Sequence, residues 1–131
     1  MIAVDTNLLV RFFTRDDPEQ FQKAVSALEA ADTIFVSTTV FLELEWLLRY
    51  TYKLEASEIH EAIQGFLSNQ KVVVANRLGV LQASRWAAEG LDFADALHWA
   101  LSNRAREFLT FDRRFARRAG RIDARPPVRA L

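Results

Sequence analysis

The sequence contains no cysteine. A disulfide framework, a thiolate nucleophile and a Cys-based zinc site are therefore excluded, and nothing points to an oxidising compartment. A cytoplasmic protein is expected. Two histidines are too few for a His-rich metal site, and four Gly with three Pro are too few for a collagen-like or low-complexity chain. No apolar run approaches the ~20 residues that cross a bilayer. No basic segment followed by an apolar one opens the chain, so neither a membrane span nor a signal peptide is expected. Lysine is also scarce, at positions 23, 53 and 71, and the other 14 of the 17 cations are Arg. What remains is a chain of 131 residues, half of them apolar. That length suits one domain, residues 1–131, burying roughly two-thirds of its unfolded surface. No internal repeat and no linker interrupts it.

Net charge is zero, but it is unevenly spread. Residues 104–131 hold nine Arg against three acids, and residues 1–103 hold eight cations against fourteen acids. Arg presents a planar fork suited to phosphate and carboxylate. The basic end suggests a polyanion or an acidic partner peptide; a solvated helix face is the alternative.

Four short apolar runs punctuate the chain: Ile2-Ala3-Val4, Ile34-Phe35-Val36, Val72-Val73-Val74 and Phe108-Leu109-Thr110-Phe111. They are largely β-branched or aromatic and do not alternate, as in strands buried on both faces of a parallel sheet. Helical patterns lie between them. Asp17-Pro18 with Gln20 is a start signal, and Phe21, Ala24, Val25 and Leu28 follow at helical spacing. Ile59, Ala62, Ile63, Phe66 and Leu67 repeat that stripe. A helix is expected over 78–89 with Gly90 as its stop, another from Asp92 through about Ala105, and a short one from Asp112. The Pro126-Pro127 tail is expected to be extended or frayed. Strands alternating with helices give an α/β domain with a mostly parallel sheet.

In such a sheet, ligands bind beyond the carboxyl ends of the strands. Asp5 and Asp112 both stand where an apolar run ends. Each suits a helix N-cap as well as a site. The helix Val40–Arg49 places Glu45 and Arg49 as an i, i+4 pair on its wet side, so Glu45 is assigned to solvent. Glu43 shares an edge of the apolar face with Leu47 and Tyr50, where a carboxylate is costly unless a cation compensates it. Asp95 lies three residues after Asp92, in the first turn of a helix that Asp92 caps. Several carboxylates in one crevice would repel, and a divalent cation would neutralise them. Oxygen donors alone suit Mg²⁺ or Mn²⁺ better than Zn²⁺. A carboxylate cage beside a basic surface is the chemistry of phosphodiester hydrolysis. His98 could face such a site or the surface, and His60 is assigned to a solvated face among acids. Phe12, Phe13 and Trp46 are candidates for a partner groove or a dimer interface.

Val4-Asp5-Thr6-Asn7, Phe41-Leu42-Glu43-Leu44, Asp92-Phe93-Ala94-Asp95-Ala96-Leu97 and Leu109-Thr110-Phe111-Asp112 resemble, in that order and spacing, the PIN-domain ribonucleases. With this total length they look like the VapC-type toxins of type II toxin–antitoxin pairs. The resemblance covers nearly the whole chain. It implies a three-layer sandwich, a central mostly parallel sheet with helices on both sides. It implies that Asp5, Glu43, Asp95 and Asp112 are the catalytic quartet holding Mg²⁺ or Mn²⁺, with Thr6, Asn7 and Thr110 in support. It implies an endoribonuclease in which a metal-activated water hydrolyses RNA to 5′-phosphate and 3′-hydroxyl ends. The implied partners are a VapB-type antitoxin, operator DNA reached only through that antitoxin, and a second copy of the chain in a homodimer. Arg113, Arg114, Arg117 and Arg118 would then contact RNA or the antitoxin.

Two other acidic-site folds fit less well. A haloacid-dehalogenase-type phosphatase needs a second Asp two residues after the first, and position 7 is Asn. A phospho-receiver domain needs an Asp at the end of the third strand, where Ala75-Asn76 stands, and a Lys at the late strand, where Asp112 stands. A PIN-like subunit that only binds its partner and regulates transcription remains the alternative to a nuclease.

Overall fold

The first three apolar runs form very short strands in the computed structural model, which describes residues 1–131. These are β1 (Ile2–Ala3), β2 (Ile34–Phe35) and β3 (Val72–Val73), and they pair in parallel in the order β1-β2-β3. Ile2 lies opposite Ile34 and Ile34 opposite Val72, so one register runs across all three. Helical crossovers separate them, as parallel pairing requires. The first crossover holds α1 (Thr6–Thr14) and α2 (Pro18–Ala30), and the second holds α3 (Thr38–Tyr50) and α4 (Ala56–Leu67).

These elements make one compact unit, residues 1–77. Asp17 caps α2 through its side chain, which accepts from the Gln20 N–H, and Pro18 follows as the start signal predicts. Helix α1 packs on α2 and α3, and α3 packs on α4. Leu9, Val36, Phe41, Leu44, Leu48, Ile59 and Ile63 are buried in this core.

The α3–α4 pair corrects two expectations. Glu45 is not on the wet side: it is only 4% exposed, and its Oε1 lies 2.8 Å from Arg49 Nε. The i, i+4 pair exists, but it turns inward. His60, expected among acids in solvent, is 1% exposed on α4. Burial, and secondarily the positive charge of Arg49, pushes its pKa down to about 4, so His60 is neutral.

A second compact unit spans residues 78–131. It contains nearly all of α5 (Arg77–Ala88), then α6 (Phe93–Ala100), β4 (Phe108–Thr110), α7 (Arg113–Ala119) and β5 (Val128–Ala130). Gly90 follows α5 with a positive φ of 116°, a conformation open to glycine and strained for other residues. Its core is aromatic. Trp86 stacks on Trp99 at 4.3 Å, and Phe115 meets Trp99 and Phe108 edge-on. Trp99 Nε1 donates to the Pro126 carbonyl at 2.7 Å, which satisfies the one polar atom the indole buries.

Two differences from the sequence reading lie here. Helix α6 stops at Ala100 rather than near Ala105, and a series of turns leads to β4. The tail, expected to be extended or frayed, is extended, and it forms a strand that was not expected: Val128–Ala130 pairs in parallel with β4, and the Leu131 N–H donates to the Thr110 carbonyl at 2.8 Å. Arg129 clamps Glu107 with two bonds of 3.0 Å beside that pairing. Every strand pairing in the molecule is parallel, and seven helices accompany them, giving an α/β fold. No helix is long and apolar enough to cross a membrane.

Candidate active site

Three of the acids singled out by sequence begin helices. Asp5 stands two residues after β1 and caps α1: its Oδ1 accepts from the Leu8 N–H at 3.0 Å. Asp112 follows β4 and caps α7, its Oδ1 accepting from the Phe115 N–H at 2.9 Å. Asp92 caps α6 by accepting from the Asp95 N–H at 3.0 Å. Asp5 and Asp112 are both exposed, and each commits one carboxylate oxygen to its cap. The cap therefore does not compete with a role as ligand. It fixes the carboxylate and leaves the second oxygen to reach a cation.

Asp95 is half-buried in the first turn of α6. Its carboxyl is held above the ordinary aspartate range, first by burial and then by the negative charges of Asp92 and Asp112. Nearby His98, which is exposed, works weakly in the opposite direction. Within the second unit, then, Asp92, Asp95 and Asp112 share one electrostatic neighbourhood. Asp5 and Glu43 belong to the first unit. Glu43 is exposed on α3, not at a costly apolar edge, so the burial argument that singled it out belongs to Glu45 instead.

The supporting residues divide. Thr110 Oγ1 accepts from the Asp112 N–H at 2.9 Å and so holds the backbone of that acid. Thr6 is buried directly after Asp5. Asn7 is exposed and lines a cavity of about 220 Å³ with Leu8, Arg11, Gln20, Lys23 and Ala24. On α7, Arg113, Arg114 and Arg117 are exposed, whereas half-buried Arg118 donates to the Gly90 carbonyl at 2.5 Å. Arg118 thus ties α7 to the end of α5.

Carboxylate oxygens are the donors that Mg²⁺ and Mn²⁺ prefer. Burial raises the Asp95 carboxyl first, and the charges of Asp92 and Asp112 add to it; a cation would relieve that second contribution. By chemistry the residues fit such an ion. In neither unit do three His, Asp or Glu side chains gather closely enough to hold a metal by themselves.

Against known proteins, the PIN domain family matches residues 2–121. The chain belongs to the PIN-domain family. Comparison with curated proteins returns no match. PIN domains are generally nucleases, and those nucleases generally use divalent metals. The matched span of this PIN domain includes all four acids, both β1 and β4, and helix α7 with its arginines. It ends before β5, the strand that sequence reading also missed.

One residue of this PIN domain escaped the sequence reading. Phe111, between Thr110 and Asp112, is 84% exposed. It was counted as the last residue of an apolar run. The signal available was its place next to Asp112-Arg113-Arg114, where the apolar run gives way to charged residues.

Proposed function

We propose that this PIN domain is a Mg²⁺- or Mn²⁺-dependent endoribonuclease and the VapC-type toxin of a type II toxin–antitoxin pair. Asp5, Glu43, Asp95 and Asp112 would hold the ion, with Thr6, Asn7 and Thr110 in support. The observation that carries the reading is the match of residues 2–121 to the PIN family, a span that holds all four acids. When bound, the ion supplies an activated water and neutralises charge at the scissile phosphate. The chain's own residues do the rest. The caps at Asp5 and Asp112 fix two carboxylates in advance, and the Thr110 hydroxyl steadies the backbone at Asp112. Arg113, Arg114 and Arg117 offer cations to the RNA backbone or to an acidic antitoxin segment. A VapB-type antitoxin that carries the pair to operator DNA, and a homodimer, complete the proposal.

The test is cleavage of RNA by purified, antitoxin-free protein with Mn²⁺ or Mg²⁺, the ends being mapped as 5′-phosphate and 3′-hydroxyl. Asp5→Asn, Asp95→Asn and Asp112→Asn should each abolish cleavage with the fold intact, because Asn caps a helix as well as Asp does at 5 and 112 and keeps the side chain's size at 95. Full activity of Asp95→Asn would overturn the assignment. A second reading is a subunit that binds its partner without turnover. Wild-type protein that binds an antitoxin but cuts no RNA under these conditions favours that reading.

A further inference from the structure

Phe111 is the most exposed aromatic residue of the chain, and nothing local accounts for it. It stands at the end of β4 beside Asp112, the cap of α7, and shares an outward row with half-exposed Leu109. Leu109 lies opposite Arg129, whose charge Glu107 already satisfies. Beyond Phe111 come Arg113, Arg114 and Arg117, all exposed and none paired with a carboxylate. Half-exposed Leu109 and Leu131 lie on the same strand pair, while Thr110, Asp112, Arg113 and Arg114, which flank Phe111 in sequence, are polar or charged. Such a setting is unlike the dry core of a protein–protein interface, from which charged residues are depleted. It does match single-stranded nucleic acid. Arginines track the backbone there, and an aromatic ring stacks on a base whatever its identity, since every base has a π-face.

We infer that Phe111 is a stacking platform for one base of single-stranded RNA, next to the acid at Asp112, with Arg113 and Arg114 meeting the adjoining phosphates. The inference rests on the nuclease reading above and adds the contact that would set the RNA strand against the acids. A stacked base fixes the position of its own phosphate, so Phe111 is a positioning residue for cleavage and takes no part in proton transfer. Because stacking is tolerant of sequence, it gives a preference for well-stacking purines and no strict code.

The test uses fluorescein-labelled rA12 and rU12, with binding followed by anisotropy in EDTA so that no RNA is cut. Phe111→Ala should weaken rA12 binding by roughly five- to a hundredfold and rU12 binding by less. The slope of log K against log salt should stay unchanged, because no phosphate contact is lost. Phe111→Trp should restore affinity. The side chain is exposed, so these changes leave folding unaffected. Wild-type and Phe111→Ala proteins that bind rA12 equally would overturn the inference and leave the nuclease reading standing. Wild-type protein that neither binds these RNAs nor cuts RNA with Mn²⁺ would overturn both. Unchanged RNA binding together with a shift from dimer to monomer in sedimentation would overturn the inference and assign Phe111 to an interface between copies.

Discussion

Glu43 and Glu45 are two residues apart on α3, and they have exchanged the environments that their helical phase suggested. The phase argument set the apolar stripe at Val40, Leu44 and Leu47, but Val40 and Leu47 are only half-buried and the buried face is Phe41, Leu44, Glu45 and Leu48. It could not show which flank of the helix the rest of the chain covers, because that packing is tertiary. Glu45 consequently pairs with Arg49 out of water, where removal of one partner strands the other. Glu45→Ala should lower stability by about 2 kcal/mol, a value reduced because Arg49 is partly exposed. Glu43→Gln should leave stability unchanged and, under the proposed function, remove activity. Urea unfolding of both variants checks the first point, and a cleavage assay checks the second. His60 adds a pH dependence to the same packing. It stays neutral in the folded chain down to about pH 4, whereas an ordinary His protonates near 6.5. The unfolded chain therefore takes up the proton first as pH falls. Stability is intact above pH 6.5 and should drop by roughly 3 kcal/mol between 6.5 and 4. His60→Gln should flatten that part of the stability-against-pH curve, and unchanged steepness would refute the assignment.

Whole elements were more legible than individual side chains. Asp17-Pro18-Gln20 announced α2, Gly90 marked the end of α5, and Asp92 and Asp112 announced α6 and α7, because caps are local chemistry. Strand β5 was not legible. Val128-Arg129-Ala130 is too short to carry a period, and its partner β4 lies twenty residues earlier in the chain. The end of α6 was hidden for a similar reason. Residues 101–105 include good helix formers, yet the chain turns there to reach β4, with Ala105 N–H donating to the Ser102 carbonyl. Helix α7 makes a prediction at this scale. Its four arginines were grouped as one patch, but Arg118 is occupied by the Gly90 carbonyl while Arg113, Arg114 and Arg117 face water. Arg113→Ala with Arg117→Ala should flatten the salt dependence of RNA binding by roughly 0.7 per lost phosphate contact. Arg118→Ala should lower the melting temperature and leave that slope alone. If the double variant instead speeds antitoxin dissociation and leaves the RNA slope unaltered, the patch serves the protein partner.

At the scale of the molecule, the proposed function links charge to stability. The residues after 103 are strongly basic and those before are acidic, so neutrality is reached by cancellation between two stretches of sequence. Burial, and after it the charges of Asp92 and Asp112, raise the Asp95 carboxyl within its own unit. If Asp5, Glu43, Asp95 and Asp112 hold a divalent ion, that ion binds the folded chain and not the unfolded one, in which the four acids are scattered over more than a hundred residues of sequence. Stability must then rise as RT ln(1 + [L]/Kd), roughly 2.7 kcal/mol at a hundredfold excess of metal over Kd. Millimolar Mn²⁺ or Mg²⁺ should therefore raise the melting temperature at pH 7.5, and EDTA should reverse the gain. Protons compete with metal for carboxylates, so the gain should shrink near pH 5. Asp95→Asn should also reduce it, whereas Arg129→Ala, on β5 and paired with Glu107, should leave the metal increment as it is. A melting temperature that millimolar metal does not move at pH 7.5 would remove the ion from these four acids, and the reading of a partner-binding PIN subunit would then account better for the chain.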